Sequence, residues 1–380
     1  MVIIMIICWI LLAGYCGLML YYKRGWMNIK KYEKESRQSL MTQVSVIIPA
    51  RNESENIRAC LESVVSQNYP LSLFEVIVID DHSTDNTAEI VLSYKESNVR
   101  LIKLSDELKG KVINSYKKKA IEEGIRKALG ALIVTTDADC VVGPNWLAEI
   151  VNFYEKHNAV FIAAPVSFYG EKNDLLKIFQ SIDFLTMQGI TGAAVSEKFQ
   201  CMCNGANLAY EKKVFEEVGG FKGIDNIASG DDMLLMHKIF SRYPDRVLFL
   251  KNKDAIVKTK PMDSIDGFLN QRIRWASKAD KFQDKKITFV LAWVYFLNVF
   301  LFGATVTAFL SDSYYDNVLV LWIIKTVVEL LFIVPVAKFF NKLHLMWWYP
   351  LLQPFHVVYI IISGWLGKFG KYKWKERSVS

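Results

Sequence analysis

Four apolar runs decide how this chain is able to fold. Met1 to Tyr22, Thr288 to Leu310 and Leu345 to Leu366 carry no Asp, Glu, Lys or Arg, and Val318 to Phe340 carries three. About 20 residues of helix cross a hydrocarbon core of about 30 Å, and backbone in lipid has to close its hydrogen bonds within its own segment. The first run has no basic leader and no small-residue cleavage site, so residues 1–22 are expected to be a retained anchor and not a removed signal. The later runs make a C-terminal membrane region over residues 287–366 with two to three spans. The count stays open because Pro350 and Pro354 can break the last run into a re-entrant or interfacial piece. Lys325 and Glu329, one helical turn apart, are expected to pair or to line a passage.

The net charge of +7 sits beside these runs. Lys23 to Arg37 holds six basic and two acidic residues, and the tail at residues 367–380 holds five basic and one, so each contributes +4 and the remainder sums to −1. Basic flanks mark the cytoplasmic side and suit anionic head groups. A nucleic-acid footprint would lie on the globular part, where no basic stripe is found. The pattern puts the N-terminus outside and the middle of the chain in the cytoplasm. A full fourth span would place the tail outside, against the charge rule. The six cysteines follow no disulfide or zinc spacing, which fits a reducing compartment.

Between the membrane runs, short β-branched segments alternate with amphipathic ones: Val44 to Pro49, Phe74 to Ile79, Val99 to Leu104 and Ala131 to Thr135 read as strands, with helices between them. That spacing predicts a parallel sheet covered on both faces. Polar residues then follow three of the strands, at Ala50-Arg51-Asn52-Glu53, Asp80-Asp81 and Asp137-Ala138-Asp139. A single Asp-x-Asp also suits a solvated turn. Acids gathered from separate strands at one carboxyl edge are instead what a ligand crevice has. Hard oxygen donors there suit a Mg²⁺ or Mn²⁺ ion shared with substrate phosphates.

Further along, Asn204-Gly205-Ala206-Asn207 is small and polar enough for close approach to a ligand. Asp231-Asp232 opens a helix, where capping explains one acid more readily than two. Asp263 to Phe282 reads as a helix with Gln271-Arg272-Ile273-Arg274-Trp275 at its centre. Lys117, Lys118 and Lys119 read as a solvated helix face. No P-loop forms around Gly110-Lys111, and there is no Gly-x-Ser-x-Gly.

In this order, Val46 to Glu53, Asp80-Asp81, Asp137-x-Asp139 and Gln271-x-x-Arg274-Trp275 resemble a membrane-bound glycosyltransferase of family 2. The family's usual Glu-Asp motif is Asp231-Asp232 here. The resemblance implies an α/β GT-A fold, the Rossmann-like nucleotide-diphospho-sugar transferase domain, over residues 42–285 with flanking transmembrane helices. It implies that Asp80 and Asp81, with the backbone near Pro49 and Ala50, hold the uracil and ribose of a UDP-sugar, that Arg51 and Glu53 also bind substrate, and that Asp139, helped by Asp137, holds a Mg or Mn cation on the diphosphate. Asp232 would then be the general base for inversion, with Asp231 and Asn207 beside the substrates. Arg274 would pair with the pyrophosphate, Trp275 would offer an apolar face, and Gln271 would bond an acceptor hydroxyl. Expected partners are the UDP-sugar, a lipid or glycan acceptor, the membrane and envelope-assembly proteins, with no nucleic acid. The expected place is the inner (plasma) membrane, multi-pass, with a cytoplasmic catalytic domain. Two alternatives remain: an inactive nucleotide-sugar-binding subunit of an envelope polysaccharide complex, and a polyprenyl-phosphate sugar transferase.

Overall fold

The computed structural model describes residues 2–30, 32, 41–94, 98–108, 113–171, 174–199, 202–227, 230–277, 285–310, 314–370, 372–374 and 377–379. Gly110-Lys111, Cys201, Ser229, Asp312 and the end of the helix expected to reach Phe282 lie outside the described residues. The chain begins with α1 (Val2–Asn28), β1 (Val44–Ala50), α2 (Ile57–Val65), β2 (Phe74–Asp80), α3 (Thr87–Leu92), β3 (Val99–Lys103), α4 (Leu104–Leu108), α5 (Tyr116–Lys127) and β4 (Leu132–Thr135). Next come α6 (Trp146–His157), β5 (Phe161–Ala163), β6 (Val166–Phe168), α7 (Leu175–Ser196), β7 (Leu208–Glu211), α8 (Lys212–Glu217), α9 (Asp231–Arg242), β8 (Val247–Phe249) and β9 (Val257–Thr259). The last part holds α10 (Ile265–Ala276), α11 (Lys285–Leu310), α12 (Tyr315–Phe339), α13 (Tyr349–Phe369), β10 (Tyr372–Trp374) and β11 (Arg377–Val379).

Contacts divide these elements into an α/β unit, Ile29–Tyr169 with Cys201–Lys260, and a helical unit, Met1–Asn28 with Gly170–Gln200 and Pro261–Ser380. The α/β unit is built on a seven-stranded sheet of order β3-β2-β1-β4-β7-β5-β8. β1, β2, β3 and β4 are parallel, and β7 runs against both β4 and β5. The sheet is therefore mostly parallel rather than wholly so. β7 returns after the long excursion through α7, and a connection of that kind is free of the crossover that parallel pairing requires. β1 is apolar on both faces, with Val44, Val46, Ile47 and Ile48 all at 0% exposure. Each such side chain contributes about 1.5–3 kcal/mol of burial free energy.

Two details of β1 position the site. The strands leave it in opposite directions, β2 and β3 to one side and β4 to the other, so the crevice of an open α/β sheet falls between the carboxyl ends of β1 and β4. The β1–β4 ladder covers Val44↔Leu132 to Ile47↔Thr135, so Pro49, with no N–H to give, lies past its end. The two strands thus part where a ligand would enter.

In the helical unit, α1, α11, α12 and the stretch Leu343–Phe369 are each long and apolar enough to cross a membrane. The helix type changes beside the first proline: Leu343–Trp348 is a 3₁₀ helix and α13 begins at Tyr349. Pro350 sits in the first turn of α13, where its N–H would be orphaned in any case, and Pro354 is accommodated inside the helix. Helices approach closely at small residues: a Cβ on Gly14 of α1 would lie 2.5 Å from the Trp293 ring of α11. Lys325 and Glu329 do pair, at 2.7 Å. Glu329 also accepts from Tyr15 at 2.5 Å, from Tyr349 at 3.0 Å and from Gln353, while Lys325 donates to Gln353 at 3.0 Å. Such a network ties α1, α12 and α13 together with its charges satisfied.

Candidate active site

The turns after β1 and β2 are laced to one another. Asp81 N–H donates to Ala50 O at 2.8 Å, and Arg51 Nη1 to the carbonyls of Asp81 and His82 at 2.8 and 3.1 Å. Asn52 N–H bonds Ser83 Oγ, Thr84 N–H bonds Asn52 Oδ1, Glu53 N–H bonds Thr87 Oγ1 and Ser54 N–H bonds Asp85 Oδ2, all between 2.8 and 3.0 Å. Ser83 and Thr84 therefore tie the two turns together; neither caps α3, whose N-cap is Asn86. Asn52 and His82 adopt left-handed φ of 50° and 56°, a strained state that persists only where surrounding bonds over-determine it. Asp80 and Asp81, at the carboxyl end of β2, are both buried beneath this lacing. Asp80 Oδ1 accepts the Ser83 N–H at 3.2 Å, and Asp81 Oδ1 lies 2.9 Å from His82 Nδ1. Glu53 has one carboxylate oxygen on Asn56 at 2.9 Å.

On the other side of the crevice, β4 ends in Thr135, whose Oγ1 donates to Gly205 O at 3.2 Å. Because β7 is antiparallel to β4, the residues just before it come to this same edge. Gly205 N–H donates to Asp232 Oδ2 at 3.1 Å, and Asp232 Oδ1 accepts the Met233 N–H of its own helix at 2.7 Å. A Cβ on Gly205 would stand 3.4 Å from Asp231 Oδ2, so the glycine keeps that face of the acid pair open. Asp137 and Asp231 share one ammonium: Lys117 Nζ lies 2.7 Å from Asp137 Oδ1 and 3.4 Å from Asp231 Oδ2. Burial pulls the Lys117 pKa down, but Asp137, then Asp231 and Asp232, outweigh it and raise it, so the lysine stays charged.

The field around these acids is negative. The Cys140 thiol, 3.4 Å from Asp139 Oδ1, is pushed well up by burial and then by Asp139 and Asp137. Cys60 is raised by burial and then by the charges of Asp139, Asp137 and Glu53. A divalent cation fits this donor set. Asp137 and Asp139 offer hard oxygens at the crevice, and the Asp137 side chain is 34% exposed. Among the described residues no three His, Cys, Asp or Glu side chains converge on a common point. One or two carboxylates completed by substrate phosphates is the arrangement Mg²⁺ ordinarily takes.

The structure corrects two readings. Asn207 does not face the crevice: it is 0% exposed, accepts from Trp146 Nε1 at 3.0 Å and donates to the Pro165 and Ala255 carbonyls at 2.8 Å. Its three bonds pin β7 to neighbouring loops, and only the backbone two residues earlier reaches the acids. Lys117 and Lys118 are not a solvated face. Lys118 is buried with Ala120, Ile121, Gly124 and Ile125 on the stripe that α5 packs inward, and the half-buried Lys117 turns its ammonium to Asp137 and Asp231.

Gln271, Arg274 and Trp275 belong to the helical unit, on α10, which Ser264 caps through the Gly267 N–H at 3.1 Å. The buried arginine there is Arg272, not Arg274. Arg272 pairs with Asp183 of α7 at 2.7 Å, donates to Gln271 Oε1 at 2.9 Å and lies 4.2 Å from the Trp275 ring centre. One face of Trp275 is therefore covered. Burial would raise the Asp183 pKa, but Arg272, followed by His356, holds it low.

Residues 45–219 match the family described as Glycosyl transferase family 2. The glycosyltransferase AglE of Haloferax volcanii is 32% identical over 192 residues, half of this chain and 59% of that protein, so the chain spans less than two thirds of that relative's length. The poly-beta-1,6-N-acetyl-D-glucosamine synthase of Staphylococcus epidermidis is 24% identical over 306 residues, 72% of this chain and 67% of the synthase. The mannosyltransferase PcManGT of Pyrobaculum calidifontis, solved with GDP-Man and Mn²⁺, shares the fold at a TM-score of 0.59 and 20% identity, over 96% of this chain and 98% of that one. Over residues 45–219 the chain is thus similar to glycosyl transferase family 2, and its fold is the GT-A-like α/β fold of that mannosyltransferase.

Proposed function

We propose that the chain moves a sugar from a UDP-sugar to a hydroxyl of a lipid or glycan acceptor, with inversion and with a divalent cation, at the cytoplasmic face of the plasma membrane. The observation that carries this is the reach of one lysine. Lys117 joins Asp137, which follows β4, to Asp231, at the start of α9, beside the sheet's switch point. Acids of the donor turn and acids of the acceptor helix thereby meet in one crevice. In this reading the laced turns hold the nucleoside against Pro49, Ala50, Asp80 and Asp81, with Arg51 and Glu53 shaping the turn. Asp139 and Asp137 hold the cation, which when bound neutralises charge on the departing diphosphate.

Asp232 takes the proton of the acceptor hydroxyl as its oxygen bonds the anomeric carbon and the bond to the diphosphate breaks. The two N–H donors on Asp232 fix its orientation and still leave lone pairs for that proton. From their motif positions Arg274 is assigned to the phosphates, and Gln271 and Trp275 to the acceptor. The names of the relatives, a glycosyltransferase and a polysaccharide synthase, support a nucleotide-sugar donor. The GDP-Man in the fold neighbour makes the nucleobase the first thing to test.

The test is nucleotide release by membranes containing the chain, offered UDP- and GDP-sugars with Mn²⁺ or EDTA, with and without lipid extract. Release of UDP that needs the cation and an acceptor is expected. Binding without release from any donor would favour the inactive subunit, and release of GDP alone would overturn the nucleobase assignment.

A further inference from the structure

Lysine is almost never fully buried, yet Lys118 is 1% exposed. It sits about 100° round α5 from Lys117, and its ammonium serves a different partner. Nζ donates to Ile224 O at 2.7 Å and to Ile227 O at 2.5 Å. Ser115, just before α5, donates Oγ to Asp225 O. The start of one helix thus takes three carbonyls from the stretch that leads into the acid pair.

That stretch is otherwise held by short turn bonds, Ile224 N–H to Phe221 O at 3.0 Å and Ile227 N–H to Ile224 O at 3.3 Å, and by the buried Phe221 and Ile224. Between α8 and α9 it forms no strand or helix among the described residues, and it turns through left-handed glycines at 219, 220, 223 and 230 with φ of 71°, 49°, 86° and 79°. The last of these hands the chain directly to Asp231. Bonds from an ammonium to carbonyls are roughly twice as strong as neutral ones. A loop that let go would strand a buried charge, which is costly. A second lysine, Lys238 of α9, holds the upstream half through Gly220 O at 2.5 Å and Lys222 O at 2.9 Å. The two lysines divide the loop, and Lys118 has the half nearest the acids.

We infer that Lys118 is a positioning residue for Asp232. By fixing residues 224–227 it sets where Gly230 starts α9, and so where Asp232 stands against the Gly205 N–H. The inference rests on reading Asp232 as the general base.

The experiment uses the full chain in detergent or membranes, with Lys118→Met, Lys238→Met, Asp232→Asn and the double variant Lys118→Met/Asp232→Asn. Binding of UDP and of GDP, turnover, and hydrogen exchange over residues 221–232 are measured on each. Lys118→Met should keep nucleotide affinity within about twofold and lose about 100-fold in turnover, the scale of a misplacement near 1 Å. It should also speed exchange at residues 224–232. Lys238→Met should keep turnover within about threefold, and in the Asp232→Asn background Lys118→Met should remove almost nothing further, as for groups acting as a unit.

Losses at Lys118 and Asp232 that multiply, or nucleotide affinity that falls together with turnover, would overturn the inference. If Lys118→Met does not fold, Ser115→Ala reports on the same clamp: unchanged exchange and unchanged turnover there would also overturn it. Full activity in Asp232→Asn would instead remove the base assignment, and fast exchange in Lys118→Met would still show the clamp.

Discussion

The two sides of the crevice are held by different means. On the β1–β2 side, two consecutive turns are joined mainly by backbone groups and by short side chains such as Asn52, Ser83 and Thr87, with Arg51 adding one longer reach. On the β4–α9 side, residues far apart in the chain meet through two lysines, a glycine N–H and a serine. Short side chains lose little freedom when ordered, whereas a lysine loses most. The first side is thus a stiff cradle suited to a nucleoside that always looks the same. The second is an assembly whose geometry depends on a few long tethers, and it carries the acid proposed to move a proton. Variants should separate the two sides: binding should fail on the cradle side, and turnover on the tether side.

The largest separation is expected at Asp232. Asp232→Asn keeps the shape and the acceptor oxygen for one N–H but removes the base, so turnover should fall about 10²–10⁴-fold. Nucleotide affinity, measured by titration with UDP, should stay close to that of the parent. Equal losses in both would place Asp232 on the cradle side and erase the contrast.

Next in size is Lys117. Lys117→Met leaves Asp137 and Asp231 facing each other without the shared ammonium. Like charges at that range destabilise, so thermal melts in EDTA should fall below the parent. Mn²⁺ should restore more of the loss than it adds to the parent, since the cation supplies the missing charge. A Mn²⁺ effect equal in both proteins would separate Lys117 from the proposed cation position. On the cradle side, Arg51→Lys loses the planar guanidinium whose Nη1 donates to both the Asp81 and His82 carbonyls. About 1–2 kcal/mol of turn stabilisation should go with it, read as weaker UDP binding with turnover at saturating donor preserved.

The same contrast explains what was legible in the sequence. The cradle is local: an apolar run, then polar residues, repeated at βαβ spacing, which period and turn chemistry reveal. Asp137 and Asp231 were legible as acids, but not the lysine between them. A run of three lysines reads as solvated unless the helical step is followed, and it would have placed Lys118 in line with Ile121 and Ile125. Asn207 failed in the opposite sense. Small polar residues near a site read as facing it, but the Trp146 indole and the Pro165 and Ala255 carbonyls turn this one inward. The reversal of β7 had no local mark, since pairing direction depends on where the chain returns from. In the helical unit, the long apolar runs were plain, while the Asp183–Arg272 pair joins residues too far apart for any window to connect.

The smallest effect belongs to the cradle and is read by pH. Asp85 Oδ1 accepts from Thr87 Oγ1 at 2.5 Å and from Thr87 N–H at 3.0 Å, and its Oδ2 from Ser54 N–H at 3.0 Å. Partial burial would raise its pKa, but these bonds favour the charged form and bring it from 3.8 down to about 2. A folded-state pKa below the unfolded one means the contribution is fully present above pH 3.8 and is lost as pH falls through about 2. Other carboxylates titrate in the same window, so the informative quantity is the difference in melting temperature between the parent and Asp85→Asn. That difference should be constant at neutral and mildly acid pH and shrink below 3.8. A difference that stayed level down to pH 2 would mean the β1–β2 turns are held by their backbone bonds alone, with the carboxylate contributing shape and no charge.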